Sequence, residues 1–206
     1  MSEGQNQFAA VPMRLVGPAR LAGPEVEGDI LLPLATYESP LWPSVDRGAR
    51  VSRECGGIQA VVVDERMTRS VILQAPGAVE AARVAAALRS RRDELQAAVS
   101  TTSRFAQLVD LHTQIAGNLL YLRFEFTTGD AAGHNMVTKA ADALLQWLLA
   151  AYPALTYVSI SGNFCSDKKV SAVNGILGRG KYAVAEATLT ADLCAKRLKT
   201  TPARVA

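Results

Sequence analysis

The chain has 206 residues, 49% hydrophobic and 20% charged, with a formal net charge of +3. That composition excludes a disordered polyampholyte and supplies enough apolar side chains for one sizeable domain or two small ones. The small positive charge permits weak attraction to phosphates but is no basic footprint, so no nucleic-acid partner is expected.

The three cysteines, Cys55, Cys165 and Cys194, are far apart and odd in number, without zinc or disulfide spacing. The opening MSEGQNQFAAVPM lacks the basic and apolar regions of a signal peptide. The longest apolar stretch, ALLQWLLAAY, is about half of what crosses a bilayer. A soluble, cytoplasmic protein with no membrane partner is expected.

In chain order, residues 1–70 are rich in Pro and Gly. Short apolar runs within them, DILLPLAT and IQAVVVDE, read as strands between turns. RSVILQ reads as the next strand. Residues 77–100 carry Val84, Leu88, Leu95 and Val99 at helical spacing, with RSRRDE as the solvated face. RFAQLVDLH is a strand. LLYLRFEFT alternates, with Leu120, Leu122, Phe124 and Phe126 on one face and Tyr121, Arg123, Glu125 and Thr127 on the other. A helix comes next with two apolar rows, Met136, Ala140, Leu144, Leu148 and Val137, Ala141, Leu145, Leu149. LTYVSI closes a β-α-β-β-α-β order, the split βαβ or ferredoxin-like pattern. KYAVAEATL reads as a further strand and TADLCAKRLKTT as a last helix. The expected fold is α+β, with a ferredoxin-like small domain over 70–161. It is inserted between two parts of a larger domain, 1–69 and 162–206.

Four segments carry candidate chemistry. In SGNFCSDKK, Lys168 and Lys169 come after an aspartate just past a strand end. A lysine fixed there can stabilise a carbonyl oxygen that becomes negative during reaction. GDAAGHNM lies between a strand and the wide-striped helix. Gly133 lets backbone approach a ligand, and free N–H groups at a helix start suit a phosphate. The plainer alternative is a polar loop in which Asp130 or Asn135 caps the helix. In ATYESP, Glu38 precedes Pro40 and is either a proton donor or a solvated loop carboxylate. GILGRGK is an anion loop or a turn, and its spacing is not that of a P-loop. His112 reads as a structural histidine, and RSRR (89–92) as a solvated helix face. Trp42 and Trp147 read as packing residues. No metal-ligand cluster is visible in the spacing.

Taken in order, these strings resemble the catalytic domain of the hydroxymethylglutaryl-coenzyme A reductase family, of the class I type. VPMRLVGPARL resembles its early segment, LPLATYESP the segment with its catalytic glutamate, and VVVDERMTRSVIL the stretch ending in Met-Thr-Arg. STTSRFAQLVDLHTQIAGNLLYLRFEFTTGDAAGHNM resembles its small cofactor domain, which is ferredoxin-like in the family. SGNFCSDKKVSAVNGILGRGKYAVAEA resembles its lysine loop and the stretch directly after it. The resemblance implies two successive hydride transfers from NADPH, taking HMG-CoA to mevalonate and coenzyme A. It implies Lys168 and Glu38 as catalytic residues. Arg69, Ser161, Asn163, Asp167 and Lys169 would line the substrate site. Asp130, Ala132, Gly133, His134 and Asn135 would form the cofactor loop.

The chain departs from the family at His134 and Ala132, where the pattern has Met or usually has Met, and in the Pro- and Trp-containing stretch after Glu38. The resemblance further implies truncation before the C-terminal half, which carries a catalytic aspartate and a late histidine. Neither His112 nor His134 takes that histidine's place. Three readings are therefore expected. One is a reductase, as a homodimer or completed by a second chain. Another is a catalytically impaired homologue that binds NADPH or an acyl-CoA as a partner-completing subunit. The third is a non-enzymatic scaffold.

Overall fold

The computed structural model describes residues 8–166 and 169–205. Its mixed α+β fold includes a seven-stranded sheet, and the chain divides into two compact units. One comprises 1–62 with 183–206, the other 63–182.

In the first unit, β1 (Met13–Ala22) and β2 (Glu27–Ala35) form an antiparallel hairpin, and the start of β3 (Ile58–Gln74) pairs parallel to β1 through Leu21 and Ala22. Helix α1 (Leu41–Glu54) buries Trp42, Ala49, Val51 and Ser52. Ser52 is buried because its hydroxyl accepts the Arg20 N–H at 2.9 Å and donates to Ala49 O at 2.7 Å. The Trp42 indole N–H reaches Leu34 O at 2.9 Å, under the Arg14 guanidinium 4.3 Å from the ring centroid. The returning flank adds a helical segment, α6 (Ala191–Leu193), which widens into a π-helical turn (Cys194–Leu198). Leu193 and Cys194 are buried, and Arg197 pairs with Glu54. The last helix, α7, spans Pro202–Val205.

The strand β3 (Ile58–Gln74) is a single 17-residue element. The sequence divides it into two strands, IQAVVVDE and RSVILQ, because Arg66 and Arg69 interrupt the apolar run. Both arginines find partners within the unit, so the charges do not end the strand.

In the second unit, β3 leads into α2 (Ala78–Leu88), α3 (Arg92–Ser100), β4 (Gln107–Ala116), β5 (Leu119–Thr127), α4 (His134–Ala151) and β6 (Thr156–Ser159). The strand order is β6-β3-β5-β4, with every pairing antiparallel. The apolar face of β5 is fully buried at Leu120, Leu122, Phe124 and Phe126. It meets Val84, Leu88, Leu95 and Val99 of the helices and both rows of α4 in one core. Phe124 has no exposed surface and lies 6.4 Å from Phe126, ring to ring. Phe124→Ala should cost about 3–5 kcal/mol. Urea denaturation checks this, and a loss below about 1 kcal/mol would contradict this core.

The sequence reads 77–100 as one helix with an arginine-rich solvated face. The structure breaks it at 89–91, and Arg91 explains why. Its guanidinium lies 4.4 Å from the Trp147 ring centroid, donates to Tyr152 Oη at 3.2 Å and forms a two-pronged pair with Glu94. A continuous helix would carry Arg91 out of this stack, and the non-helical backbone at Arg91 (φ −107°) places it there. Arg92 also turns inward and donates to Leu108 O.

The other face of the sheet is also covered, which alternation of strand residues does not reveal. Arg123 and Glu125 are completely buried. The segment after β6 lies over this face, where Ser70 Oγ accepts Gly162 N–H at 3.2 Å and contacts Cys165 Sγ at 3.4 Å. Arg123 donates to Gly178 O. The short helix α5 (Ala172–Leu177) and the strand β7 (Gly180–Glu186), which pairs with β3, complete the described elements. Among the described residues, no helix is long and apolar enough to cross a membrane.

Candidate functional site

The loop between β5 and α4 is built around Gly133. This residue is the N-terminal boundary of α4 and sits at φ +83°, a left-handed conformation open to glycine. A Cβ at this position would lie 2.6 Å from Thr128 Cγ2 and 2.8 Å from Thr128 Oγ1. Thr128 is itself buried and donates to Ala131 O at 2.8 Å, closing the loop on itself. No side chain caps α4. The alternative in which Asp130 or Asn135 is the cap is therefore set aside, because the left-handed Gly133 occupies the boundary itself. Its carbonyl takes Val137 N–H at 2.9 Å.

A cleft of about 410 Å³ opens beside this loop. Asp130, Ala132 and His134 line it together with Glu65, Thr128, Arg179 and Lys181. Lys181 comes from the GILGRGK segment, which the sequence leaves as either an anion loop or a turn. Its ammonium is 2.8 Å from Glu65 Oε1 and 3.1 Å from Gly129 O, so the start of β7 is tied to the glycine loop. The hydrogen bond from Lys181 holds the Glu65 carboxyl below the usual carboxylate range. The cleft thus lies at a helix N-terminus that no side chain caps and carries Arg179 and Lys181 beside the carboxylates of Glu65 and Asp130, while the bare Gly133 Cα packs on Thr128 and neither Gly133 nor Asn135 lines the cleft. That arrangement suits a phosphate-bearing ligand.

The expected substrate residues divide between the units. Arg69 lies on β3 and donates to Ile160 O at 3.1 Å, beside Ser161 in sequence. Ser161 is exposed and its N–H reaches Ser159 Oγ at 3.0 Å. Asn163 adopts a left-handed backbone, φ +55°, and its carbonyl accepts the Ser166 hydroxyl at 3.2 Å. Lys169 is exposed and its N–H reaches Ser166 O at 3.1 Å. Asp167 and Lys168 lie outside the described residues. Glu38 belongs to the first unit, exposed in the loop before α1. Its N–H reaches Thr36 Oγ1 at 2.9 Å and its carbonyl accepts Leu41 N–H at 3.0 Å.

A buried ionic cluster lies on the covered sheet face. Glu125 accepts from Arg66 at 2.7 Å and from Arg123, and His112 Nε2 is 3.3 Å away. Arg66 also forms a two-pronged pair with Asp64 at 2.5 and 2.9 Å. The Asp64 hydrogen bond first, and the Glu125 charge after it, raise the Arg66 guanidinium above its ordinary range. Burial pulls Arg123 the other way, opposed by Glu125. The sequence shows no metal-ligand spacing, yet folding brings ligand atoms of Asp110, His112 and Glu125 within 4.8 Å of one another. Two guanidiniums already engage the Glu125 carboxylate, so this trio is an ion-pair network and a poor cation site. Sequence reading missed this cluster. The signal was present as Arg-x-Glu on one face of β5, with His112 opposite Arg123 in the register.

Comparison with known proteins bears on both regions. The hydroxymethylglutaryl-coenzyme A reductase family model matches residues 1–206. The 3-hydroxy-3-methylglutaryl-coenzyme A reductase of Pyrococcus abyssi is 43% identical over 197 residues, covering 95% of this chain and 48% of that protein. The Aeropyrum pernix protein of the same name is 41% identical over 196 residues, covering 95% and 47%. The chain thus spans about half the length of these relatives. Among solved structures, a Streptococcus pneumoniae 3-hydroxy-3-methylglutaryl-coenzyme A reductase aligns with TM-score 0.67 at 18% identity, over 95% of this chain and 50% of that one. A class II reductase from the same organism, bound to NADPH in open conformations, aligns with TM-score 0.61 at 21% identity, over 81% and 46%. These structural likenesses concern the fold.

Proposed function

Since the chain belongs to the hydroxymethylglutaryl-coenzyme A reductase family, we propose that it carries the cofactor-binding and lysine-bearing portion of an NADPH-dependent reductase acting on HMG-CoA. The observation that carries this reading is the glycine loop, in which left-handed Gly133 packs on Thr128 and so sets Asp130, Ala132 and His134 along a cleft that also holds Arg179 and Lys181. Residues 63–182 form a ferredoxin-like small domain, supported by the order β6-β3-β5-β4 and the β-α-β-β-α-β path. Its limits are wider than 70–161, because β3 is one strand and the segment beyond β6 covers its polar face. The flanks belong to a larger substrate domain.

When bound, NADPH supplies the hydride. Asp130, Ala132, Gly133, His134 and Asn135 would hold it, and the free N–H groups at the start of α4 are of the kind that suit a phosphate. Arg69, Ser161, Asn163, Asp167 and Lys169 hold the carboxylate-bearing acyl group. The Lys168 ammonium stabilises the oxyanion that forms on the reacting carbonyl, and Glu38 gives a proton to the oxygen of the aldehyde. A homodimer or a complementing chain completes the site. The three free thiols support a reducing, cytoplasmic setting.

The test is NADPH oxidation measured at the nicotinamide absorbance band with HMG-CoA present. Lys168→Ala should lower turnover by about 10²–10³, the usual effect of losing an oxyanion donor. Unchanged turnover would remove Lys168 from the chemistry. Saturable NADPH binding without turnover in the parent chain would favour the binding-only, partner-completing homologue instead.

A further inference from the structure

The glycine loop, residues 128–133, has little with which to hold itself. Gly129, Ala131, Ala132 and Gly133 bring no polar side chain, and both glycines sit at positive φ. Within the loop, Thr128 Oγ1 donates to Ala131 O at 2.8 Å and Ala131 N–H reaches Thr128 O at 3.4 Å. A backbone so poor in side chains keeps one shape only when another element restrains it.

Glu65, on β3, supplies such a restraint twice. Its Oε1 accepts Thr128 N–H at 3.4 Å and pairs with Lys181 Nζ at 2.8 Å. The same ammonium donates to Gly129 O at 3.1 Å. One carboxylate oxygen thus takes hold of an N–H and, through one lysine, of the carbonyl of the following residue. The support is firm, because β3 is paired with β5 from Met67 onward, two positions beyond Glu65.

The charge of Glu65 has the wrong sign for the cleft it lines. The Lys181 hydrogen bond holds its carboxyl below the usual carboxylate range, so it is an anion at neutral pH. A carboxylate on the wall repels a phosphate-bearing ligand and engages one of the cations that would attract it. Its contacts, rather than its charge, account for its place.

We infer that Glu65 is a positioning residue: it holds Thr128 directly and Gly129 through Lys181, and so sets the glycine loop for the cofactor. This rests on the reading of the cleft given above. Thr128 passes the restraint on, since the Gly133 Cα packs against its side chain where α4 begins.

The experiment uses the full chain with Glu65→Ala and Glu65→Gln, each matched to the parent by circular dichroism. Alanine removes both the acceptor and the charge. Glutamine keeps an acceptor oxygen and removes the charge alone. The first readout is hydrogen exchange of the Thr128 amide by NMR, relative to Leu122 in the buried part of β5. Loss of a hydrogen bond to a carboxylate should speed Thr128 by about fivefold to tenfold in Glu65→Ala. Glu65→Gln should stay within about threefold of the parent on the same scale. The second readout is the NADPH Kd from nicotinamide fluorescence. Glu65→Ala should bind about threefold to tenfold more weakly, and Glu65→Gln at least as tightly as the parent.

The sign of the second result is decisive. Were Glu65 only a wall charge, its removal would strengthen binding of an anion in both variants, so tighter binding by Glu65→Ala overturns the inference. Weaker binding with Thr128 exchange unchanged also overturns it, because Glu65 would then act by touching the ligand itself. Equal weakening in both variants does the same, since the retained acceptor would count for nothing. A parent chain that binds no NADPH defeats the cofactor reading of the cleft instead. Thr128 exchange then decides by itself whether Glu65 holds the loop.

Discussion

Glu125→Ala should destabilise the second unit by about 3–5 kcal/mol, the usual cost of removing one partner from a buried ionic group. Glu125 has no exposed surface, and its carboxylate is engaged by Arg66 and Arg123. Arg66 retains Asp64 after the change, but among the described residues Arg123 keeps no carboxylate and donates to the Gly178 carbonyl. A buried guanidinium left without a counter-charge bears its full desolvation cost. The loss should appear as a melting temperature lower by at least about 10 °C. Glu125→Gln keeps the shape and some hydrogen bonds, so it should fall between parent and alanine variant. Equal stability of all three would show that the cluster contributes nothing to the fold. The functional consequence runs through Gly178, because loosening Arg123 loosens one anchor of the lysine-bearing segment.

The second large effect is expected at the glycine loop. Gly129 and Gly133 both have positive φ, +59° and +83°. A Cβ at Gly129 meets nothing within 4 Å, whereas one at Gly133 is driven into Thr128 at 2.6 Å. Gly129→Ala carries the backbone penalty alone, about 1–2 kcal/mol. Gly133→Ala carries that penalty and forces Thr128 or the loop to move, which distorts the start of α4. It should cost about 1–3 kcal/mol more than Gly129→Ala by urea denaturation. Equal costs for the two would mean that Thr128 yields freely and that the loop is not rigid.

Part of this architecture was legible from the residues. The alternation in LLYLRFEFT places Leu120, Leu122, Phe124 and Phe126 on the core face, where all four are buried. The double row of α4 needs a sheet on one side and finds it. Short-range pattern failed where a long-range partner decides the outcome. Arg66 and Arg69 look like the end of a strand until partners distant in sequence, Glu125 and Ile160, are known. RSRR looks solvated until Arg91 is seen stacked on Trp147, 56 positions further along the chain. The polar stripe of β5 looks like a wet surface until the segment after β6 lies over it. At the site, the glycine loop was legible because a left-handed residue at a helix start leaves a glycine in the sequence. The contributions of Glu65, Thr128 and Lys181 to the same cleft were not, because no local spacing links residues of β3, the loop after β5 and β7.

The most direct test of a cofactor site at the glycine loop is a titration of the chain with NADPH, monitored by nicotinamide fluorescence. Saturable binding to the parent chain is the predicted result. In a Gly133→Ala sample whose circular dichroism matches the parent's, binding should be weaker by about tenfold or more, the equivalent of at least about 1.4 kcal/mol. No saturable binding to the parent chain, or equal binding by both proteins, would contradict a cofactor site at this loop.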